Sequence, residues 1–257
     1  MTPKEKHGQM VKLKPMLLQT AELVFPERLL KKLRKATRFP AFAVLPPREF
    51  EGMGKWTIVV TAECKSSIKK DVVCIRAYQP YHVTHAKNPL NNGTGIYLFN
   101  ADDYGNVNCQ EFPPHYFNRL RERLIAAKGM AQPDFPHLVL EMMRLHSTSM
   151  DLVLRGYHFH RDEDGMYTME RDHDGDKKEG FDNLITYHRE GASLGVSAEG
   201  KRYFNFTTFV PNGMLREGQS EMQRRMMAEL RQHEYRRQQN PFATYDRKEW
   251  IEKGRDI

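Results

Sequence analysis

The sequence predicts an α+β protein, with an antiparallel β-sheet packed with two central helices and helical extensions at both the N- and C-termini. Three observations lead there. Short runs of alternating apolar and polar residues recur between turn-forming Asn, Gly, Ser and Asp. Two runs of helical periodicity fall in mid-chain, at 115–128 and 135–145. Both ends of the chain are charged, with apolar residues at helical spacing.

From the front, 13–36 reads as helix: Leu17, Leu18, Ala21, Leu23, Val24, Leu29, Leu30 and Leu33 recur at helical spacing, and Pro26 breaks it in two. Pro40, Pro46 and Pro47 interrupt an extended stretch. In 56–64, Trp56, Ile58, Val60 and Ala62 alternate with Thr57, Val59 and Thr61, the period of a strand. Residues 66–70 supply a turn, 71–78 a partner strand, and Asn91-Asn92-Gly93 leads into a third strand at 95–100. Strands this close in sequence pair as an antiparallel meander.

Pro113-Pro114 ends that region, and a helix over 115–128 closes at Gly129. At 100° per residue, Phe117, Leu120, Leu124 and Ala127 form an apolar stripe. His115, Arg119, Glu122 and Arg123 form a polar one. After the second helix, strands are predicted at 151–160, 165–171, 183–190, 191–197 and 202–210. A polar helix over 215–238, with six Arg against four Glu, precedes a tail containing Pro241 and Trp250. The expected organisation is a basic helical segment (1–39), a β-meander (40–112), an α+β region (113–214) and a helical tail (215–257), with 40–214 also readable as one domain. No internal repeat is visible, which removes solenoids and propellers.

Composition narrows the function classes. Of 257 residues, 39% are hydrophobic and 28% charged, which suits a globular chain and not a disordered one. No apolar run approaches the roughly 18 residues of a membrane span, and no apolar segment follows the N-terminal charges as in a secretory signal. The expected location is the cytoplasm, with no membrane contact. Ten Lys/Arg against three Glu in 1–38 account for the entire net charge of +7. A basic segment of this kind attracts polyphosphate, and Lys31, Lys32, Arg34 and Lys35 are its densest part. The alternative is a solvated helix face. Cys64, Cys74 and Cys109 form no CxxC pair and read as buried free thiols.

The run from His115 to Arg123 has the form His-x3-Arg-x2-Glu-Arg, and a late strand reads Tyr203-Phe204-Asn205-Phe206-Thr207-Thr208-Phe209-Val210. Over 113–215 this resembles the BrnT/RelE-like ribonuclease toxin domains, which pair a helix bearing His, Arg and Glu-Arg with a twisted sheet ending in a Thr-rich strand. The resemblance implies metal-independent endoribonuclease chemistry. His115 or Glu122 would be the base, and Arg119 and Arg123 the phosphate clamps, a task suited to the planar guanidinium fork. The chain departs from those compact domains in its N-terminal β region, its acidic insertion at 162–176 and its helical tail. The competing explanation is ordinary helix-surface ion pairing at i,i+3 and i,i+4.

Tyr187 and Arg189 share one strand face and are candidate RNA contacts; alternatively Gly191 and Gly195 mark a hairpin with a bulge. His158 and His160, two apart on a strand, have the geometry of an HxH metal pair, with Asp162, Asp164, Asp172, His173, Asp174, Asp176 and His188 as further donors. The favoured reading is a polar sheet face with no metal. Walker A, dinucleotide and nucleophile-elbow patterns are missing, so no cofactor is expected. Three functions remain: an RNA-directed protein, RNA being preferred over DNA, with endoribonuclease activity; a non-catalytic nucleic-acid-binding or adaptor protein of a mobile element or phage; and a structural oligomer paired through the 215–238 helix.

Overall fold

The computed structural model describes residues 1–24, 26–70, 73–84, 91–101, 107–147, 149–154, 157–171, 180–198, 200 and 202–239. The expected features at Asp172, His173, Asp174, Asp176, Pro241 and Trp250 lie outside these. The helices are α1 (Pro3–Leu18), α2 (Ala21–Val24), α3 (Glu27–Leu33), α4 (Lys65–Lys69), α5 (Pro114–Leu120), α6 (Phe135–Ser147) and α7 (Glu217–Gln239). The strands are β1 (Ala41–Val44), β2 (Arg48–Phe50), β3 (Gly54–Ala62), β4 (Cys74–Val83), β5 (Gly93–Ala101), β6 (Val107–Phe112), β7 (Met150–Leu154), β8 (Tyr157–Arg161), β9 (Tyr167–Arg171), β10 (Phe181–His188), β11 (Gly191–Ala198) and β12 (Tyr203–Pro211).

Ten strands form one large sheet in the order β1-β3-β4-β5-β6-β12-β11-β10-β7, with β2 beside β3. The expected antiparallel sheet is in fact mixed: two antiparallel meanders meet at a parallel β6–β12 pair, where Tyr203 lies opposite Cys109. Two halves, one on each side of α5 and α6 in the chain, are thereby closed into one sheet. β8 and β9 form a separate hairpin. The predicted strand 151–160 divides into β7, at the edge of the large sheet, and β8, whose hairpin partner β9 is the predicted strand 165–171.

Strand alternation sorts the core onto two faces. On the first, Trp56, Ile58, Val60, Ala77 and Phe99 pack beneath Met10, Leu13 and Leu17 of α1 and Leu29 and Leu33 of α3. Further along that face, Ile185, Tyr187, Leu194 and Val210 meet Met226, Met227 and Leu230 of α7. On the second face, Val59, Ile96, Leu98, Phe112, Leu184, Phe204, Phe206 and Phe209 pack against α5 and α6. The helices therefore cover both sides of the sheet.

Several local expectations change. The first helix starts earlier, at Pro3, because Thr2 and Glu5 form a reciprocal capping box. The 66–70 turn is the short helix α4. After Leu120, α5 loosens into a π-helical turn over Arg121–Ala126, with Met130 N–H reaching the Ile125 carbonyl. That loosening rotates the apolar stripe: Tyr116, Phe117, Leu120 and Ile125 are buried, whereas Ala127 is exposed. All three cysteines are free, but only Cys109 is buried; Cys64 and Cys74 are half-buried. The predicted bulge occurs between Leu194 and Gly195. A Cβ at Gly195 would lie 2.1 Å from the Asn205 carbonyl oxygen, so β12 crosses there only because the side chain is missing.

Candidate functional site

Pro113 and Pro114 start α5 where the β6 strand ends, and burial of Tyr116, Phe117 and Leu120 turns His115 and Arg119 toward the rim. The His115 pKa is lowered, first by desolvation and then by the charges of Arg119 and Arg123, with Glu122 opposing. Its imidazole is thus held neutral near two guanidiniums. Arg119 Nη1 pairs with Glu122 Oε2 at 2.6 Å at the surface. Arg123, displaced by the π turn, donates from Nη1 to the Phe209 carbonyl at 2.7 Å and stands 5.9 Å from the Tyr167 ring centroid. Arg123 is therefore tied to the sheet, while His115, Arg119 and Glu122 remain at the rim.

Tyr187 and Arg189 are not part of this group. The β10–β11 register places Tyr187 opposite Ala192 on the first face, where it is buried against α7. Burial pushes its hydroxyl pKa upward. Arg189 reaches Glu234 of α7 at 2.5 Å. Both lie across the sheet from α5. The stripe of the rear helix, with Met222, Met226 and Leu230, packs on the protein's own sheet, and Leu215 joins that cluster from just ahead of α7.

Lys31, Lys32, Arg34 and Lys35 are exposed on and just after α3, whose Leu29, Leu30 and Leu33 are buried beneath them. Lys6, counted in the same basic segment, is enclosed instead. Its Nζ lies 2.6 Å from Glu111 Oε2, and Tyr81 and Tyr203 also donate to that carboxylate.

No family model, curated protein or solved structure matches the chain.

Geometry also reveals a polar network that spacing did not single out. Tyr116, His146, His188 and Ser193 come from α5, α6, β10 and β11 and meet beneath the second face. His188 Nδ1 donates to the Leu145 carbonyl at 3.1 Å, which leaves Nε2 to accept from Ser193 Oγ at 2.7 Å. Ser193 in turn accepts from the Tyr116 hydroxyl at 2.8 Å, and Tyr116 accepts from His146 Nε2 at 3.0 Å. Every donor points the same way along this chain, and with Nε2 accepting, the His188 imidazole is neutral. Desolvation drives the His188 pKa down to about 3. It also drives His146 well below its ordinary value, and neighbouring His188 and the Arg76 guanidinium lower it further. Ser193 and His188 are buried, so the pairing that would suggest a nucleophile serves to satisfy polar groups in the core.

The donors suggested around His158 divide into separate sets. Asp162 caps the β8–β9 turn by accepting from Met166 N–H, and both Asp162 and Asp164 bind Arg216. His188 is in the buried network. His158 and His160 share a hairpin face with Glu170, a residue the sequence reading passed over.

Proposed function

We propose that this protein is a nucleic-acid-binding module directed at RNA, with α3 and the residues just after it as its cationic contact surface. The observation that carries this reading is the presentation of Lys31, Lys32, Arg34 and Lys35. They are exposed while Leu29, Leu30 and Leu33 anchor the same helix in the core. Fixed cations bind a polyphosphate with less ordering cost than cations on a free arm. The test is a salt titration of single-stranded RNA binding to the intact chain. Changing Lys31, Lys32 and Lys35 to Glu removes three phosphate contacts and lowers the salt slope by about 2. Binding that is salt-independent, or indifferent to these changes, rejects the reading. Competition with DNA of the same sequence reports the preference for RNA.

A second reading, metal-independent endoribonuclease activity at His115, Arg119 and Glu122, is favoured by the neutral state imposed on His115, which suits a general base. Arg123 would contribute from behind, through position and charge. Chelator-treated protein would cut RNA, and His115→Ala would stop it. Intact RNA after prolonged incubation with folded protein leaves the binding reading alone.

A further inference from the structure

The β8–β9 hairpin stands outside the large sheet, and a two-stranded hairpin on its own is marginal in water. Part of its support is visible. Phe159 and Tyr167 pack into the first-face core, Arg216 clamps the turn, and the Asn183 amide donates to the Tyr157 carbonyl. Those contacts use one side and the tip. On the other side, antiparallel register sets His158 directly opposite Glu170, and strand periodicity brings His160 onto the same face.

The three side chains converge. One ligand atom from each of His158, His160 and Glu170 lies within 4.8 Å of the other two. His160 Nδ1 is 3.7 Å from Glu170 Oε2, and the two imidazole centroids are 6.0 Å apart. His160 Nδ1 is also closed off from solvent without a hydrogen-bond partner among the described residues, although its side chain as a whole is half-exposed. A buried ring nitrogen left without a partner costs free energy unless something else occupies its lone pair.

From this juxtaposition we infer that His158, His160 and Glu170 form a divalent transition-metal site, with Zn²⁺ as its preferred ion. Two imidazoles and one carboxylate are a borderline donor set that suits Zn²⁺ and disfavours the all-oxygen cations Mg²⁺ and Ca²⁺. Donors about 2.0–2.2 Å from a tetrahedral ion lie about 3.4 Å apart, so the observed spacing closes with small side-chain rotations. The ion ties β8 to β9 across the hairpin and leaves a fourth position for water. This inference is independent of RNA binding.

The test is titration of the untagged, chelator-treated full chain with Zn²⁺ alone, following heat release and the unfolding midpoint. The expected result is one saturable site per chain and a midpoint that rises with Zn²⁺ but not with Mg²⁺ or Ca²⁺. Loss of an outer-shell partner alone weakens metal sites roughly 10- to 100-fold, so Glu170→Gln weakens binding at least that much and His158→Ala with His160→Ala removes it. The three side chains are half-exposed or exposed, and circular dichroism without metal checks that each variant folds like the parent. Co²⁺ in place of Zn²⁺ gives a tetrahedral absorption band in the parent alone. Failure to bind Zn²⁺, binding that survives the double substitution, or equal response to Ca²⁺ overturns the assignment.

Discussion

The hydroxyls of Tyr116 and Ser193 lie 2.8 Å apart beneath the sheet, joining α5 to β11 in a chain of donors that ends at the Leu145 carbonyl. Tyr116→Phe preserves the ring packing but removes the donor to Ser193 and the acceptor for His146. A buried polar atom left unpaired costs about 1–3 kcal/mol, and that loss is expected in urea unfolding with an unchanged m value. A neutral result would mean that the network contributes no stability.

The same network sets a dependence on pH. His188 has a folded pKa near 3, below its ordinary 6.5, and His146 is lowered too. A depressed histidine binds its proton more readily in the unfolded chain. Its stabilising contribution is complete above about pH 6.5 and falls as pH drops from there toward 3. Unfolding free energy measured across that interval should decline with acid, and His188→Gln should flatten the curve.

Glu111 is held by Lys6, Tyr81 and Tyr203, which fasten α1 to three strands. Its removal leaves a half-buried ammonium over the Tyr97 and Tyr203 rings. Breaking such a pair from one side costs about 3–5 kcal/mol. Glu111→Ala is therefore expected to lower the unfolding midpoint sharply and expose α1 to protease. Equal protease resistance in parent and variant would count against this role.

Arg119 and Arg123 are adjacent on the sequence-derived polar stripe, yet the structure assigns them different stability. Arg119→Ala breaks a surface ion pair worth about 0–1 kcal/mol. Arg123→Ala strands the Phe209 carbonyl at a cost of about 1–3 kcal/mol. Thermal unfolding should separate the two, so any effect of Arg119→Ala on RNA can be read without a folding correction.

Gly195 faces the Asn205 carbonyl too closely for a side chain. Gly195→Ala forces β11 and β12 apart and is expected to cost about 1–3 kcal/mol or more. A variant as stable as the parent would show that the bulge can absorb a methyl group.

Periodicity in the chain was sufficient for the α+β class, most strands, the long rear helix and the bulge at Gly195, because these follow from local side-chain alternation and turn chemistry. It also located the HxH pair and the outward basic residues of 1–38. Three things depended on tertiary structure. The parallel β6–β12 pair joins residues nearly a hundred positions apart, which no local pattern records. The π turn after Leu120 replaced the 100° projection and sent Arg123 to Phe209. Finally, sheet face and register decide company: alternation put Tyr187 and Arg189 on one face but could not say that α7, and not α5, would cover it. Glu170 became the third donor beside His158 and His160 only through cross-strand pairing, since hydrogen-bond register, not chain spacing, brings side chains on neighbouring strands together.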